Sequence, residues 1–242
     1  MRYLILSDMH GNLPALDAVL ADAVGVGYDR VLVLGDLVGY GADPSAVIER
    51  TLALSPVGLI RGNHDKVAAG IESAMTFNDL ARISIEWTAA SLSAAEIKVL
   101  ADLPRGPQRV DADVEIAHGA PFDEDYYIFD AADARRGLDA MGGRICLVGH
   151  THVPAMFSEA EAPVDVGADM RVTVPATGRM LVNVGSVGQP RDGDPRAAYG
   201  VLDMERRLLI LRRVTYDVSL AQRRILEAGL PGWLAFRLAQ GQ

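Results

Sequence analysis

The chain holds five histidines, at 10, 64, 118, 150 and 152, and all but His118 stand within two residues of another group able to bind a cation. His10 lies in LILSDMHGN, two residues after Asp8. Asp36 closes VLVLGD, His64 follows Asn63 in RGNHD, His118 closes VEIAH, and His150 and His152 share GHTH. Imidazole nitrogens with carboxylate or amide oxygens suit Mn, Fe, Zn, Co or Ni better than Mg or Ca. Asp8, His10, Asp36, Asn63, His118, His150 and His152 are more groups than one ion takes from a protein. A pair of divalent ions sharing one carboxylate would use them all. Such pairs, ~3.5–4 Å apart, stabilise both the attacking and the leaving oxygen in phosphoryl displacement. Taken singly, each histidine reads equally well as a hydrogen-bonded structural residue, and Asp8 and Asp36 as helix caps. The ordered set favours metal.

The elements that must position these groups are legible as short apolar runs alternating with helical patterns. RYLILSD, DRVLVLGD and SPVGLIRGN read as strands, separated by helices in NLPALDAVLADAVGV and DPSAVIERTLAL. That alternation implies parallel strands with helical crossovers. FNDLARISIEWTAASL and SAAEIKVLADLP read as successive helices, the second opened by a Ser93/Glu96 capping box. ADVEIAH and RICLVGH resume the strand pattern around a helix near 130–141. DMRVTV, GRMLVNVG, AAYGVLDM and RLLILRRVTY suggest a second, more antiparallel sheet. A last helix, DVSLAQRRILEA, stops at Gly229 before Pro231. The candidate ligands all fall just past strand ends. Ligands of open α/β sheets bind beyond the carboxyl ends of the strands, so one sheet edge is the expected site. No repeat or linker interrupts the chain, and one domain over 1–242 is expected, with a helical insertion at about 66–104 and C-terminal helices at about 217–239.

Composition limits the partners. With a formal charge of −9 and half its residues hydrophobic, the chain can build a large core. Its acidic surface repels polyanions, so bulk nucleic-acid binding is not expected. No apolar run approaches the ~18–20 residues of a membrane span, and the N-terminus lacks a signal-peptide core. These features lead to the expectation of a soluble, cytoplasmic protein without a membrane partner; they do not set its oligomeric state. Cys146, the single cysteine, sits in an apolar run and reads as a buried core residue.

The blocks SDMHGN, GDLVGYG, RGNHD, AHG and GHTH, in that order, resemble the calcineurin-like metallophosphoesterase family, and NVGSVGQPRDGDPR resembles the loop that follows in its small bacterial members. The resemblance implies a four-layer α/β/β/α sandwich, two mixed β-sheets flanked by helices with a small helical insertion. It implies that Asp8, His10, Asp36 and His152 hold one metal. Asp36 would bridge to a second, completed by Asn63, His118 and His150. His64 would bind the phosphate or protonate the leaving oxygen, and hydroxide shared by the metals would attack phosphorus. Against two divalent ions, two carboxylates and one hydroxide leave a net charge of about +1, enough to draw a phosphate into an acidic protein.

Other candidates carry alternatives. Asn12 is a phosphate contact or an N-cap. Arg61 and Arg191 are phosphate contacts or, respectively, a salt-bridge partner and a solvated turn residue. Tyr40 walls the site or packs. Phe77 and Asn78 could overhang it, although their segment also reads as a helix face buried on the core. The family's serine/threonine protein phosphatases carry Gly-Asp-x-Val-Asp-Arg-Gly, whereas GDLVGYG places Gly39 and Tyr40 where they have aspartate and arginine. That departure argues against efficient phosphoprotein hydrolysis and leaves His64 without its usual carboxylate. The expected activity is hydrolysis of a small phosphodiester or nucleotide, dinucleoside polyphosphates included. The alternatives are a phosphomonoesterase, serine/threonine protein phosphatase-like activity included, and a non-catalytic scaffold on the same fold.

Overall fold

The computed structural model describes residues 1–159, 164–165 and 169–242. The elements run β1 (Arg2–Leu6), α1 (Leu13–Val26), β2 (Arg30–Val33), α2 (Pro44–Ala53), β3 (Gly58–Leu59), α3 (Asn63–Ala68), α4 (Asp79–Ser91), α5 (Ala94–Asp102), β4 (Gln108–Arg109) and β5 (Val114–Ile116). There follow α6 (Ala131–Ala140), β6 (Ile145–Val148), β7 (Ala155–Ser158), β8 (Val164–Asp165), β9 (Arg171–Thr173), β10 (Met180–Asn183), β11 (Ala197–Asp203), β12 (Leu208–Val214), α7 (Val218–Glu227) and α8 (Gly232–Leu238).

They form two mixed six-stranded sheets, ordered β3-β2-β1-β11-β12-β9 and β4-β5-β6-β10-β7-β8. In the first, β1, β2 and β3 are parallel; in the second, β5, β6 and β10 are parallel. Strand alternation shows how the layers stack. Tyr3 and Ile5 of β1 meet Ile145 and Leu147 of β6 in a core between the sheets. The alternate residues Leu4 and Leu6 face Leu16 and Val19 of α1, while Cys146 and Val148 face Ala134 and Leu138 of α6. Two sheets back to back with helices outside make the four-layer sandwich.

The β-rich second half does not form a sheet of its own, a correction to the local pattern. β11 pairs antiparallel with β1, and β12 and β9 extend the first sheet, whereas β10 inserts between β6 and β7 of the second. Period-two alternation identifies a strand and its faces but carries no information about its partner. The helices between β3 and β4 begin earlier than the pattern suggests, because α3 starts at the candidate ligand Asn63. The Ser93/Glu96 capping box forms, with Ser93 N donating to Glu96 Oε2 at 2.7 Å and Glu96 N to Ser93 Oγ at 3.3 Å. At the C-terminus Leu234 is buried with Tyr40 and Ile225, while Trp233 and Phe236 remain half exposed.

Leu147 is fully buried between the sheets. Leu147→Ala is expected to lower stability by ~2–5 kcal/mol, measured as a lower denaturant midpoint with unchanged slope; an unchanged midpoint would contradict this packing.

Candidate functional site

The loops that leave the parallel strands are tied together by backbone hydrogen bonds continuing past the sheet edges. Asp8 N donates to Gly35 O at 3.1 Å and His10 N to Asp36 O at 3.0 Å, joining the loops after β1 and β2. Gly149 N donates to His118 O at 2.9 Å, joining the loops after β5 and β6. Gly188 N donates to Asp8 O at 2.9 Å, so the loop after β10 closes on the first. Ser186 Oγ reinforces that closure by donating to Asp8 O at 2.8 Å. Gly149 is required by close approach, because a Cβ there would strike Ser7 Oγ and the Asp8 carboxylate.

This meeting point gathers all the expected ligand side chains. Ligand atoms of Asp8, His10, Asp36 and His152 lie within 4.8 Å of one another, as do those of Asp36, His118 and His150. Asp36 alone belongs to both groups. Asn63 Oδ1 lies 3.3 Å from His118 Nε2. Five of the seven residues, Asp8, His10, Asp36, His150 and His152, have left-handed backbone with φ between 48° and 65°. Residues other than glycine adopt that region at a cost of roughly 1–2 kcal/mol each, and such outliers cluster at functional sites.

The ring orientations are fixed from behind. The Nδ1 atoms of His10, His118 and His152 donate to the carbonyls of Val38, Leu34 and Gln189 at 2.9, 2.8 and 2.6 Å. His150 is reversed, with Nε2 donating to Asp125 O at 3.0 Å. A carbonyl only accepts, so each ring commits one N–H outward and turns its other nitrogen inward, the orientation of a metal-ligating histidine. The inward nitrogens face one another in pairs: His10 Nε2 lies 3.1 Å from His152 Nε2, and His118 Nε2 lies 3.1 Å from His150 Nδ1.

The electrostatics ask for positive charge. Burial holds His10 and His152 well below the ordinary histidine value and lowers His150 to about 3. Burial also raises Asp8 to about 7, opposed by His118 and reinforced by Asp36. His118 goes the other way: burial alone would lower it, but the charge and hydrogen bond of Asp36, the Asp8 charge and the Leu34 carbonyl together push it up to about 10. Facing ring nitrogens beside two buried carboxylates fit divalent cations, which supply the missing charge to both at once.

The remaining candidates surround this cluster. His64 donates its backbone N–H to Asp36 Oδ1 at 2.9 Å. Its ring packs against Tyr40, Phe77 and His10 at centroid distances of 4.5, 4.7 and 4.8 Å. Burial lowers its pKa to about 4. His64 Nδ1 has no hydrogen-bond partner and faces Gly39, where any Cβ would overlap it. Asn12 is engaged as an N-cap, accepting from Ala15 N at 3.2 Å and donating to Gly188 O at 2.8 Å. The Arg61 guanidinium is engaged by Glu124 at 3.1 and 3.3 Å. Arg191 donates to Gln189 Oε1 at 2.8 Å and lies 5.6 Å from the Tyr40 ring. Asn78 accepts from Ala81 N to cap α4.

Several supports carry no signal in the residue pattern. Asp65 binds the backbone N–H groups of Leu37, Val38 and Gly62 and so fixes the Asp36 loop. Buried Lys66 binds Glu72, Glu124 and Asp125 at 3.1, 3.2 and 2.6 Å, holding the segment whose Asp125 carbonyl orients His150. Tyr127 stacks on His150 at 3.8 Å, and Arg237 of α8 reaches within 5.8 Å of the Tyr40 ring.

Comparison with known proteins agrees with this geometry. The sequence model of the calcineurin-like phosphoesterase superfamily domain matches residues 1–207. A structure described as a metallophosphoesterase from Sphaerobacter thermophilus is 39% identical, with a TM-score of 0.90 over 100% of this chain and 99% of that one. An uncharacterised protein of Methanocaldococcus jannaschii is 33% identical over 98% of this chain and 97% of its own length. A hypothetical protein from Pyrococcus horikoshii, 21% identical with a TM-score of 0.81 over 100% of this chain and 98% of that one, shares the fold. The chain belongs to the calcineurin-like phosphoesterase superfamily. That family is one of phosphoric ester hydrolases that typically bind divalent metals, and the cluster around Asp36 is the candidate metal-binding set. Among the described residues no helix is long and apolar enough to cross a membrane.

The Glu124 network gives a pH-dependent expectation. Burial alone would raise the Glu124 pKa, but its hydrogen bonds to Arg61 and Lys66 hold it below 4.5. A carboxylate depressed in the folded state stabilises fully above its unfolded value and loses that contribution as pH falls through its folded value. The stability gap between the wild type and Glu124→Gln, measured by denaturant titration, is expected to be largest at neutral pH and to shrink below about pH 4.5. A gap independent of pH would contradict the network.

Proposed function

We propose that the protein hydrolyses a small phosphodiester or nucleotide, dinucleoside polyphosphates included, with two divalent transition-metal ions. The observation that carries this reading is the position of Asp36 in both ligand groups. Asp8, His10, Asp36 and His152 would hold one ion, and Asp36, Asn63, His118 and His150 the other. When bound, such a pair supplies Lewis-acid charge to phosphoryl oxygens and makes water acidic enough to attack near neutral pH.

The chain's own residues do the rest. The carbonyls behind the four candidate ligand histidines hold their rings aimed inward. His64, with its Nδ1 against Gly39, has Nε2 left as the nitrogen that carries the proton and hydrogen-bonds the leaving oxygen. Arg191, which has no carboxylate partner among the described residues, neutralises a phosphoryl oxygen. Tyr40 holds the His10 and His64 rings edge to face and tilted, respectively. Asn12 and Arg61, being engaged by Gly188 and Glu124, shape the loops and reach phosphate only indirectly.

The lack of room at Gly39 weighs against a protein-phosphatase-like activity, because the carboxylate that would pair with His64 cannot be placed there. The complete ligand set weighs against a scaffold.

Asp36→Asn is expected to reduce hydrolysis of bis(4-nitrophenyl) phosphate by at least ~10³-fold, a loss of roughly 4 kcal/mol of transition-state stabilisation, with circular dichroism unchanged. In the wild type this diester is expected to turn over faster than 4-nitrophenyl phosphate. A folded, fully active variant would refute the shared-ligand assignment, and a strong monoester preference would favour the alternative enzyme class.

A further inference from the structure

A cavity of about 330 Å³ opens beside the ligand cluster, with Asn63, His64 and His150 at its inner end. That volume is in the range of small-molecule sites. Its two walls are aromatic. Phe77, from the segment before α4, packs on His64 with centroids 4.7 Å apart, and Tyr127 stacks on His150 at 3.8 Å and 26°. Phe129, 70% exposed, stacks parallel to Tyr127 with centroids 5.3 Å apart. The lining carries the carboxylates of Glu72 and Asp125 and no arginine or lysine; Lys66 grips both acids from its buried position in α3.

Acidic lining disfavours a second phosphate in this cleft. Flat aromatic walls favour a planar ring, and carboxylates at the rim accept from ring N–H groups. Arg191 and Arg237 stand about the ring of Tyr40, itself a lining residue, but neither lines the cavity. We propose that this cavity receives the uncharged nucleobase of the substrate, stacked against Tyr127 and Phe77, with its N–H donors directed to Glu72 and Asp125 and its phosphate at the Asp36 cluster. The proposal rests on the phosphoesterase reading above and narrows its substrate to esters of nucleosides.

Binding of adenosine 5′-monophosphate and of ribose 5-phosphate to the Mn²⁺-loaded protein, compared by titration calorimetry, tests it. Stacking of a base on an aromatic side chain is worth about 5- to 150-fold in affinity. The wild type is expected to favour the nucleotide by at least ~10-fold. Phe77→Ala and Tyr127→Ala are each expected to weaken the nucleotide far more than ribose 5-phosphate and so to erase most of that preference. Equal wild-type affinities would overturn the nucleobase site with the phosphate site intact, as would equal losses for both ligands in both variants. If neither ligand binds, the phosphoesterase reading fails and this proposal falls with it.

Discussion

Everything where the edges of the two sheets meet is arranged around the Asp36 carboxylate. One oxygen, Oδ1, accepts the backbone N–H of His64, which fixes the side chain's rotation. The other, Oδ2, is left 3.5 Å from His10 and 3.3 Å from His118, each from a different ligand group. A buried carboxylate between two imidazoles is costly to maintain without compensating positive charge. Its pKa nevertheless stays well below the ordinary value, because the pull of His118, His64 and His10 outweighs burial. The site is therefore poised to hold cations on both sides of one residue.

Holding that carboxylate and its neighbours in place requires backbone that most sequences avoid. The left-handed turns at Asp8, His10, Asp36, His150 and His152 aim five ligands inward. The loop-to-loop hydrogen bonds past β1, β2, β5, β6 and β10 hold those turns, as do the N–H contacts of Asp65. Carbonyl partners then set every ring. The two sheets contribute unequal halves: β1, β2 and β3 deliver the carboxylates and Asn63, whereas β5 and β6 deliver His118, His150 and His152. Neither sheet alone makes a site, so the inter-sheet core of residues such as Ile5 and Leu147 sets the distance between the halves.

How much of this was legible in the sequence follows from what each residue type announces. Strand ends and ligand types coincide at Asp8, Asp36, His118 and His150, so the candidate site could be read before any coordinates. The helices could be placed from caps such as Ser93 and Glu96. Strand partnership could not, and the residue pattern alone groups β10 with β11 and β12 although they lie in different sheets. Asp65, Lys66, Asp125 and Tyr127 were equally silent. Their contribution comes from contacts to backbone, to other charges or to a ring, and those contacts arise from tertiary approach rather than spacing. Gly39 was visible as a departure, but only the fold explains it: His64 fills the space that a side chain there would need.

The central claim is that Asp36 is shared by two cations. Anomalous diffraction from crystals grown with Mn²⁺ tests it most directly. The account predicts two peaks about 3.5–4 Å apart, one beside Asp8, His10 and His152 and the other beside Asn63, His118 and His150, with Asp36 between them. A single peak on one side, or none at saturating metal, would contradict it.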